Sequence, residues 1–196
     1  MIDVVESNGN LLVYVADVSG HGLAAGQLMG MLKTAMRVSF QFQRQPTALL
    51  ESADRVLPAV KEADMYATLA LLQFDGSTRA EYASAVHVPI VHYRDRSRDA
   101  AWLSMEQFPL GLIPGGCYAS QRVSYSTRDL FLMVTDGISE VANAQDEEFG
   151  SERLEQLLTQ HVAESLPEIC ERIIERARQH GLQQDDQTLL LIGVLR

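Results

Sequence analysis

Three aspartates in this sequence stand where an apolar run ends and a turn or polar loop lies close by. Asp17 lies in segment 16–22 (Ala-Asp-Val-Ser-Gly-His-Gly), directly after an apolar run. Asp136 follows a second apolar run, and Asp185 shortly precedes a third. An acid at the end of a strand, next to a glycine-containing turn, can hold a cation where the backbone comes close.

Acids at the ends of three buried strands are expected to converge at one edge of a sheet. Carboxylates that are packed together repel one another, and cations must offset the cost of burying them. Hard divalent ions with oxygen ligands, Mg²⁺ or Mn²⁺, are their natural partners. Each aspartate alone is better explained as a turn-forming residue. The three together favour a metal site.

Hydrophobic periodicity predicts the elements that carry these acids. Asn8-Gly9 between two apolar runs predicts an antiparallel hairpin of strands Ile2 to Val5 and Leu11 to Ala16. Two helices follow, the first over Leu23 to Gln43 and the second opening at Pro46 with Thr47 placed to cap it. Further strands are predicted at Tyr66–Phe74, Arg79–Ala85, Pro89–Tyr93, Ala101–Leu103, Gln121–Tyr125, Asp129–Thr135 and Gln187–Leu195.

The second half of the chain adds another pair of helices. Ser151 is placed to cap a helix that contains Leu154, Leu157 and Leu158, and a further helix is predicted over Leu166 to His180. Strands and helices thus come in blocks, which indicates an α+β fold with largely antiparallel sheets. The number of strands favours two packed sheets with helices outside.

Composition narrows the class of protein. A chain of 196 residues, 46% hydrophobic and 21% charged, predicts one globular domain. Its net charge of −10 argues against a nucleic-acid surface. It contains neither an apolar run of roughly 20 residues nor a signal segment, so we expect a cytoplasmic protein without membrane contact. Cys117 and Cys170 lack the spacing of a zinc site or disulfide framework.

Three separated motifs resemble, in order, those of SpoIIE-like phosphatases. These are bacterial members of the PPM (protein phosphatase 2C-like) metal-dependent Ser/Thr phosphatases. The motifs are Ala16 to Gly22, Thr135 to Glu140 and Asp185 to Thr188, with lesser matches at Met65–Leu69, Pro109–Gly111 and Phe149-Gly150. The resemblance implies a β-sandwich of two antiparallel sheets flanked by helix pairs, in agreement with the pattern of elements.

The same resemblance implies roles for single residues. Asp17 would bridge two divalent cations, Mn²⁺ or Mg²⁺, and the backbone carbonyl of Val18 would bind one of them. Asp136 and Asp185 would bind the other, and Asp186 matches a supporting position. The nucleophile would be a metal-activated water.

Other residues of the motifs are assigned supporting roles. His21 is interpreted as a turn or outer residue rather than as the general acid. Ser19 is interpreted either as a helix cap or as a substrate contact. Gly20 and Gly22 require only a permissive backbone, and Gly137 is included as a supporting residue.

Two departures from the family pattern stand out. Members usually begin with a Gly-Gly-Asp strand, whereas this chain starts at or just after that point, and Asp3 matches the second acid of the strand. We therefore expect a fragment that lacks the first metal-ligand segment. The family's Asn-Ala-Gly-His segment is replaced by Ser84-Ala85-Val86-His87, where His87 would keep its role in an altered turn.

The implied function is a metal-dependent phosphoserine/phosphothreonine protein phosphatase of a bacterial signalling pathway. The resemblance implies a phosphorylated anti-sigma-factor antagonist as substrate and an upstream receiver, PAS or GAF sensor domain. Two alternatives stay open. The first alternative to a phosphatase is a catalytically weak binding module of the same fold. The second is a scaffold that forms a homodimer through the helices of Leu23 to Leu57.

Overall fold

The computed structural model describes residues 1–59, 61, 64–113 and 115–195. These residues form two compact units. The first comprises Met1–His87 and Met105–Ser124, and the second comprises Val88–Ser104 and Tyr125–Arg196. The α+β class with two antiparallel sheets is confirmed, because each unit contains one such sheet with its own helices. None of the described helices combines the length and apolarity that crossing a membrane would require.

The first unit is built on an antiparallel sheet with the order β1-β2-β3-β4-β7. Its strands are β1 (Ile2–Ser7), β2 (Asn10–Val18), β3 (Ala67–Phe74), β4 (Arg79–Ala85) and β7 (Gln121–Ser124). Asn8 and Gly9 have φ of 50° and 76° between the paired residues Ser7 and Asn10. Two successive positive φ values define the tight hairpin turn that Asn-Gly favours, so the predicted hairpin is confirmed.

Helices α1 (Gly22–Phe42) and α2 (Pro46–Val56) carry the apolar residues that cover one face of this sheet, and residues 57–59 add a short 3₁₀ turn. Alternate strand positions of that face, such as Leu12, Tyr14 and Ala16, form one core cluster with Leu28 and Leu32 of α1. The 3.6-residue period of the helices and the 2-residue period of the strands therefore meet in one apolar layer.

The second unit contains an antiparallel sheet with the order β6-β5-β8-β9. Its elements are β5 (Ile90–Arg94), β6 (Asp99–Leu103), β8 (Leu130–Val134), α3 (Asp136–Ser139), α4 (Gly150–His161), α5 (Leu166–His180) and β9 (Leu189–Gly193). The core of the unit packs Leu132 and Val134 of β8 against apolar residues of α4 and α5, such as Leu158 and Ile173.

The predicted side-chain caps of two helices are wrong. Gln45 is the N-cap of α2 and Pro46 occupies the first turn, so Thr47 lies inside the helix. The fixed φ of proline suits the first helical position and sets the start of the helix two residues earlier than a cap at Thr47 would. Helix α4 likewise begins at Gly150 with Phe149 as its N-cap, which places Ser151 inside it.

Two acids of the first unit are buried and supplied with hydrogen-bond donors. The carboxylate of Asp3 on β1 binds Arg37 of α1 through both oxygens, at 2.7 and 2.6 Å, and the hydroxyl of Tyr14 donates to it at 3.2 Å. The hydrogen bond from Arg37 holds the pKa of Asp3 below its usual value. Asp54 of α2 is fully buried and accepts the backbone N–H groups of Gly111 and Gly116 at 2.8 and 3.0 Å.

A third buried acid lies in the second unit. Asp129 receives the imidazole Nε2 of His92 at 3.0 Å and the backbone N–H groups of Asp95 and Ser126 at 3.0 and 2.9 Å. The ring of His92 stacks on Phe131 at 4.2 Å. Burial lowers the pKa of His92, against the opposing effect of Asp129, so the neutral imidazole donates its Nε2–H to the carboxylate.

Candidate functional site

Asp17 is the penultimate residue of β2, in the first unit. It pairs with Thr68 of β3 and is half-buried, whereas its neighbours Ala16 and Val18 are buried. Because side chains alternate along a strand, Asp17 points to the opposite face from the core-forming Ala16 and Val18. The apolar run therefore fixes where this carboxylate emerges from the sheet.

Ser19 holds the turn after Asp17 in place. Its backbone N–H donates to the carbonyl of Tyr66 at 3.0 Å, and its Oγ accepts the backbone N–H of Tyr66 at 2.8 Å. The alternative that Ser19 caps α1 is wrong, because His21 is the N-cap and no side-chain cap bond forms there. The hydroxyl is instead used to bind β2 to the segment that enters β3.

The glycines of this turn are explained by their backbone. Gly20 and Gly22 have φ of 88° and 78°, which side-chain-bearing residues rarely adopt. His21 between them is exposed. The structure thus gives the turn a permissive backbone and leaves the imidazole outside the packed core.

His87 is connected to Asp17 through the sheet of the same unit. Its Nδ1 lies 2.8 Å from the hydroxyl of Thr68, the register partner of Asp17. Val86 has a φ of 42°, a left-handed conformation that is unusual for a β-branched residue. The turn therefore keeps a backbone that suits glycine although the sequence has valine.

In the second unit, Thr135 fastens the loop of Asp185 and Asp186 to the end of β8. Its backbone N–H donates to Thr188 at 3.0 Å, its Oγ1–H donates to the carbonyl of Asp186 at 3.0 Å, and Oγ1 accepts the N–H of Thr188 at 3.0 Å. A buried threonine with all its polar groups paired leaves little freedom to the loop. Asp136, the next residue, is thereby fixed near Asp185.

Gly137 is required by the close approach of the same loop. A Cβ at this position would lie 2.5 Å from the carbonyl oxygen of Asp186, much closer than real Cβ contacts. The backbone N–H of Gly137 also donates to Oδ1 of Asp136 at 2.9 Å. The Thr-Asp-Gly motif thus brings two loops into contact at the end of one strand.

A polar cavity of about 240 Å³ opens at this point. Its lining includes Asp136, Glu140 and Asp185, with Gly137, Val141 and Gln184, and no Lys or Arg is among the residues that the structure describes there. Burial, together with the charges of Asp136, Glu148 and Asp185, raises the pKa of Glu140. Crowded carboxylates without a cationic side chain are the donor set that a hard divalent cation prefers.

The donor types of this cavity fit a divalent cation, although its side chains are not arranged as a finished ligand set. Within the described ranges, no three His, Cys, Asp or Glu side chains are grouped closely enough to hold a metal ion. The structure places Asp136 and Asp185 at one cavity of the second unit, and Asp17 belongs to the first unit.

Glu140 is a residue of the cavity to which no role was assigned from the sequence. It lies four positions after Asp136, across the short helix α3. Residues four apart share one face of a helix, so the spacing Asp-x-x-x-Glu was the available signal. Thr135 was missed because its role depends on contacts with residues about 50 positions away.

The arrangement of the motifs and the two sheets identifies the class of fold to which the chain belongs. The structure is similar to the SiaA PP2C domain of Pseudomonas aeruginosa, with a TM-score of 0.85 and 20% identity, covering 98% of this chain and 79% of that one. It is also similar to the RsbU and RsbW domains of a Mycobacterium tuberculosis protein, with a TM-score of 0.83 and 26% identity, covering 99% and 54%. The fold is that of PP2C-like phosphatase domains.

The family follows from the sequence match. The sequence model described as stage II sporulation protein E (SpoIIE) matches residues 7–195, so the chain belongs to the SpoIIE family. It is 25% identical over 193 residues to phosphoserine phosphatase RsbU of Bacillus subtilis strain 168, covering 96% of this chain and 57% of that protein. It is 23% identical over 190 residues to RsbP of the same organism, covering 93% and 45%. The chain spans about half the length of these relatives.

Proposed function

We propose that this chain is the catalytic domain of a metal-dependent phosphoserine/phosphothreonine protein phosphatase. The observation that carries the proposal is the acidic cavity at the end of β8, where Asp136 and Asp185 lie together and the described part of the lining has no cationic side chain. The resemblance to the SpoIIE family implies that these two aspartates are metal ligands. The relatives RsbU and RsbP are both named phosphoserine phosphatases, which supports the same reaction.

Asp17, the carbonyl of Val18, Asp136 and Asp185 would hold two divalent cations, Mn²⁺ or Mg²⁺. When bound, such cations lower the pKa of a shared water and neutralise phosphoryl oxygens. The chain's own contribution is positional. Thr135 fixes the Asp185 loop through its three hydrogen bonds, and Ser19 fixes the turn after Asp17 through two more.

The substrate we propose is a phosphorylated protein of a bacterial signalling pathway, and by resemblance an anti-sigma-factor antagonist. The net charge of −10 is unfavourable for an acidic partner unless cations offset it at the site. An upstream receiver or sensor domain, a cytoplasmic location and a homodimer belong to the same proposal.

The test is hydrolysis of an aryl phosphate and of a phosphoseryl protein in the presence of Mn²⁺. Wild type is compared with Asp17→Asn and with wild type in excess chelator. We expect both to lose activity, since the substitution removes a ligand charge and the chelator removes the cations. Activity that survives both treatments would disprove the two-metal proposal.

Asp146→Asn is the matched control. Asp146 is exposed and has a φ of 62°, a conformation that asparagine also tolerates. The activity of the Asp146→Asn variant should therefore equal that of wild type. A folded wild-type chain that binds the phosphoprotein without hydrolysing it would favour the alternative, a binding module of the same fold.

A further inference from the structure

The first unit contains a second polar cavity, at the other end of its sheet from Asp17. The cavity has a volume of about 280 Å³, and its lining includes Arg44, Gln45, Gln73, Arg79, Glu81 and Arg122. Gln73 lies five positions along β3 from Thr68, the register partner of Asp17. At about 3.3 Å per residue, this separation is roughly 17 Å. The cavity is therefore distinct from the Asp17 turn.

Sheet register places its polar side chains in one row. Gln73 on β3 pairs with Glu81 on β4, and Glu81 pairs with Arg122 on β7. Arg79 lies two positions before Glu81, so it is on the same face of the sheet. The loop between α1 and α2 brings Arg44 to this row from outside the sheet.

Three arginines at one cavity are notable in a chain with a net charge of −10. Nε of Arg122 lies 3.7 Å from Oε1 of Glu81, which is a long ion pair. Arg44 and Arg79 form no ion pair among the residues that the structure describes. Asp75, the other acid of the lining, turns an oxygen to the backbone N–H of Ser77 at 2.9 Å. The cavity therefore has cationic groups available for an anion.

Gln73 provides an independent indication of a ligand. It is 8% exposed, and its Nε2 donates to the carbonyl oxygen of Arg44 at 2.7 Å. Its Oε1 is buried and has no hydrogen-bond partner within the part of the chain that the structure describes. A buried acceptor without a donor costs free energy, and a rotation of this side chain towards the cavity would let a ligand N–H or O–H remove that cost.

The start of α2 adds to the positive potential. Gln45, its N-cap, lines the cavity and makes no side-chain cap bond. The first turn of this 11-residue helix therefore directs the positive end of its dipole towards the same region.

We propose that this cavity binds a phosphate monoester that carries a neighbouring hydrogen-bond donor. Arg44, Arg79 and Arg122 bind the phosphate, and Gln73 Oε1 accepts the donor. All three cations are arginines, whose guanidinium groups bind phosphate through two parallel hydrogen bonds. The volume lies near the lower limit of small-molecule sites, so the cavity accommodates a phosphate and a small part of its carrier. The carrier is either a free nucleotide or the phosphorylated side chain of a protein.

Calorimetric titration of the whole 196-residue chain tests the proposal. The probes are inorganic phosphate, adenosine monophosphate and a phosphoseryl tripeptide. The titrations use the Asp17→Asn background with chelator, so that the proposed metal site does not capture the probes. Arg44→Gln and Arg79→Gln should each weaken binding about tenfold, as expected for one lost charge-assisted contact. Arg55→Gln, which changes an exposed arginine of α2 outside this lining, should bind like the parent.

The relative affinities of the nucleotide and the peptide identify the carrier. Gln73→Leu should reduce the advantage of the probes that carry a donor over inorganic phosphate. Affinities unchanged by Arg44→Gln and Arg79→Gln, in variants that keep the circular dichroism spectrum of the parent, would overturn the proposal. So would the absence of measurable binding of all three probes at millimolar concentration.

Discussion

The buried acids of the first unit and the acids at the end of β8 differ in whether the fold supplies them with hydrogen-bond donors or leaves them at a cavity. Asp3 and Asp54 are buried, and each has hydrogen-bond donors on both carboxylate oxygens. Asp136 and Asp185 line a cavity with Glu140, and none of the lining residues within the described ranges is Lys or Arg. Burial of a carboxylate is unfavourable without compensation. The first pair therefore stabilises the fold, whereas the second group, in which Asp136 is half-buried and Glu140 and Asp185 are exposed, stays open to a bound cation.

The two groups should consequently separate in experiments that measure stability and activity independently. An acid that the fold has already paired should affect folding when it is removed. An acid of the cavity should affect the reaction, with little loss of folding free energy.

The largest expected effect is that of Asp136→Asn on catalysis. We expect hydrolysis of an aryl phosphate with Mn²⁺ to fall by about a thousandfold, since a metal ligand accounts for several kcal/mol of transition-state stabilisation. Thermal unfolding in chelator should show unchanged or raised stability, because the substitution removes a repulsion with Glu140. A large loss of stability with retained activity would place Asp136 among the paired acids.

Asp54→Ala should have the largest effect on folding. It leaves the N–H groups of buried Gly111 and half-buried Gly116 without an acceptor, at a cost of about 3 kcal/mol in the free energy of unfolding. Urea denaturation measures this difference. Arg55→Ala, the exposed neighbour in the same helix, should change stability by less than about 0.5 kcal/mol. A loss for Asp54→Ala no larger than that of Arg55→Ala would contradict the assignment.

Local pattern predicted the elements well because their determinants lie close in sequence. The bounds of α5 coincide with the predicted Leu166 to His180. Its Ser165 and Glu168 form a capping box, and Gly181 ends it. Hydrophobic period and punctuation within one segment contain the information for such an element. The opening of α2 at Pro46 is confirmed, but the caps Thr47 and Ser151 were mispredicted because a cap was chosen from residue type alone.

The pairing of the acids was not predictable in the same way. Asp54 falls on the apolar stripe of α2, four positions after Leu50, and this position signals a buried charge. Its donors are 57 and 62 residues further along the chain. Asp3 and Arg37 are 34 residues apart. Periodicity shows that a side chain is buried, but tertiary structure decides which donor it meets.

Part of the candidate site could be predicted from the sequence, because two of its acids lie close to the ends of apolar runs. Asp136 and Asp185 were singled out in this way, and the structure places them at one cavity. Their role as metal ligands, like that of Asp17, stays a prediction. Glu140 and Thr135 were missed, because neither follows the pattern of an acid after an apolar run.

A smaller effect is expected for Arg37→Met. Asp3 keeps Lys33 at 3.5 Å and Tyr14, and Arg37 is 49% exposed. We therefore expect a smaller loss of folding free energy at pH 7 than for Asp54→Ala, because solvent screens the exposed guanidinium. The lowered pKa of Asp3 makes this contribution full above its unfolded value of 3.8, and it disappears as the pH falls through the folded pKa.

Urea denaturation of wild type and Arg37→Met at several pH values checks that prediction. The difference between the two proteins should shrink below about pH 4. In an Asp3→Asn background, Arg37→Met should cost less, as a double-mutant cycle measures. A constant difference at all pH values would show that Arg37 stabilises the fold through packing alone.

The smallest effect concerns Asp129, which is paired with a neutral histidine rather than an arginine. Because burial lowers the folded pKa of His92 below its ordinary value of 6.5, the unfolded chain takes up a proton first as the pH falls. Stability is therefore complete above about pH 6.5 and is lost below it, by at most about 1.4 kcal/mol per pH unit for one proton. His92→Gln keeps a donor for Asp129 but cannot titrate, so the difference in unfolding free energy between wild type and this variant isolates the effect from the other histidines. The stability of wild type relative to this variant should fall from pH 6.5 to 5.5, whereas a relative stability that rises over this range would mean that the imidazole is already charged in the folded state and that Asp129 is paired as Asp3 is.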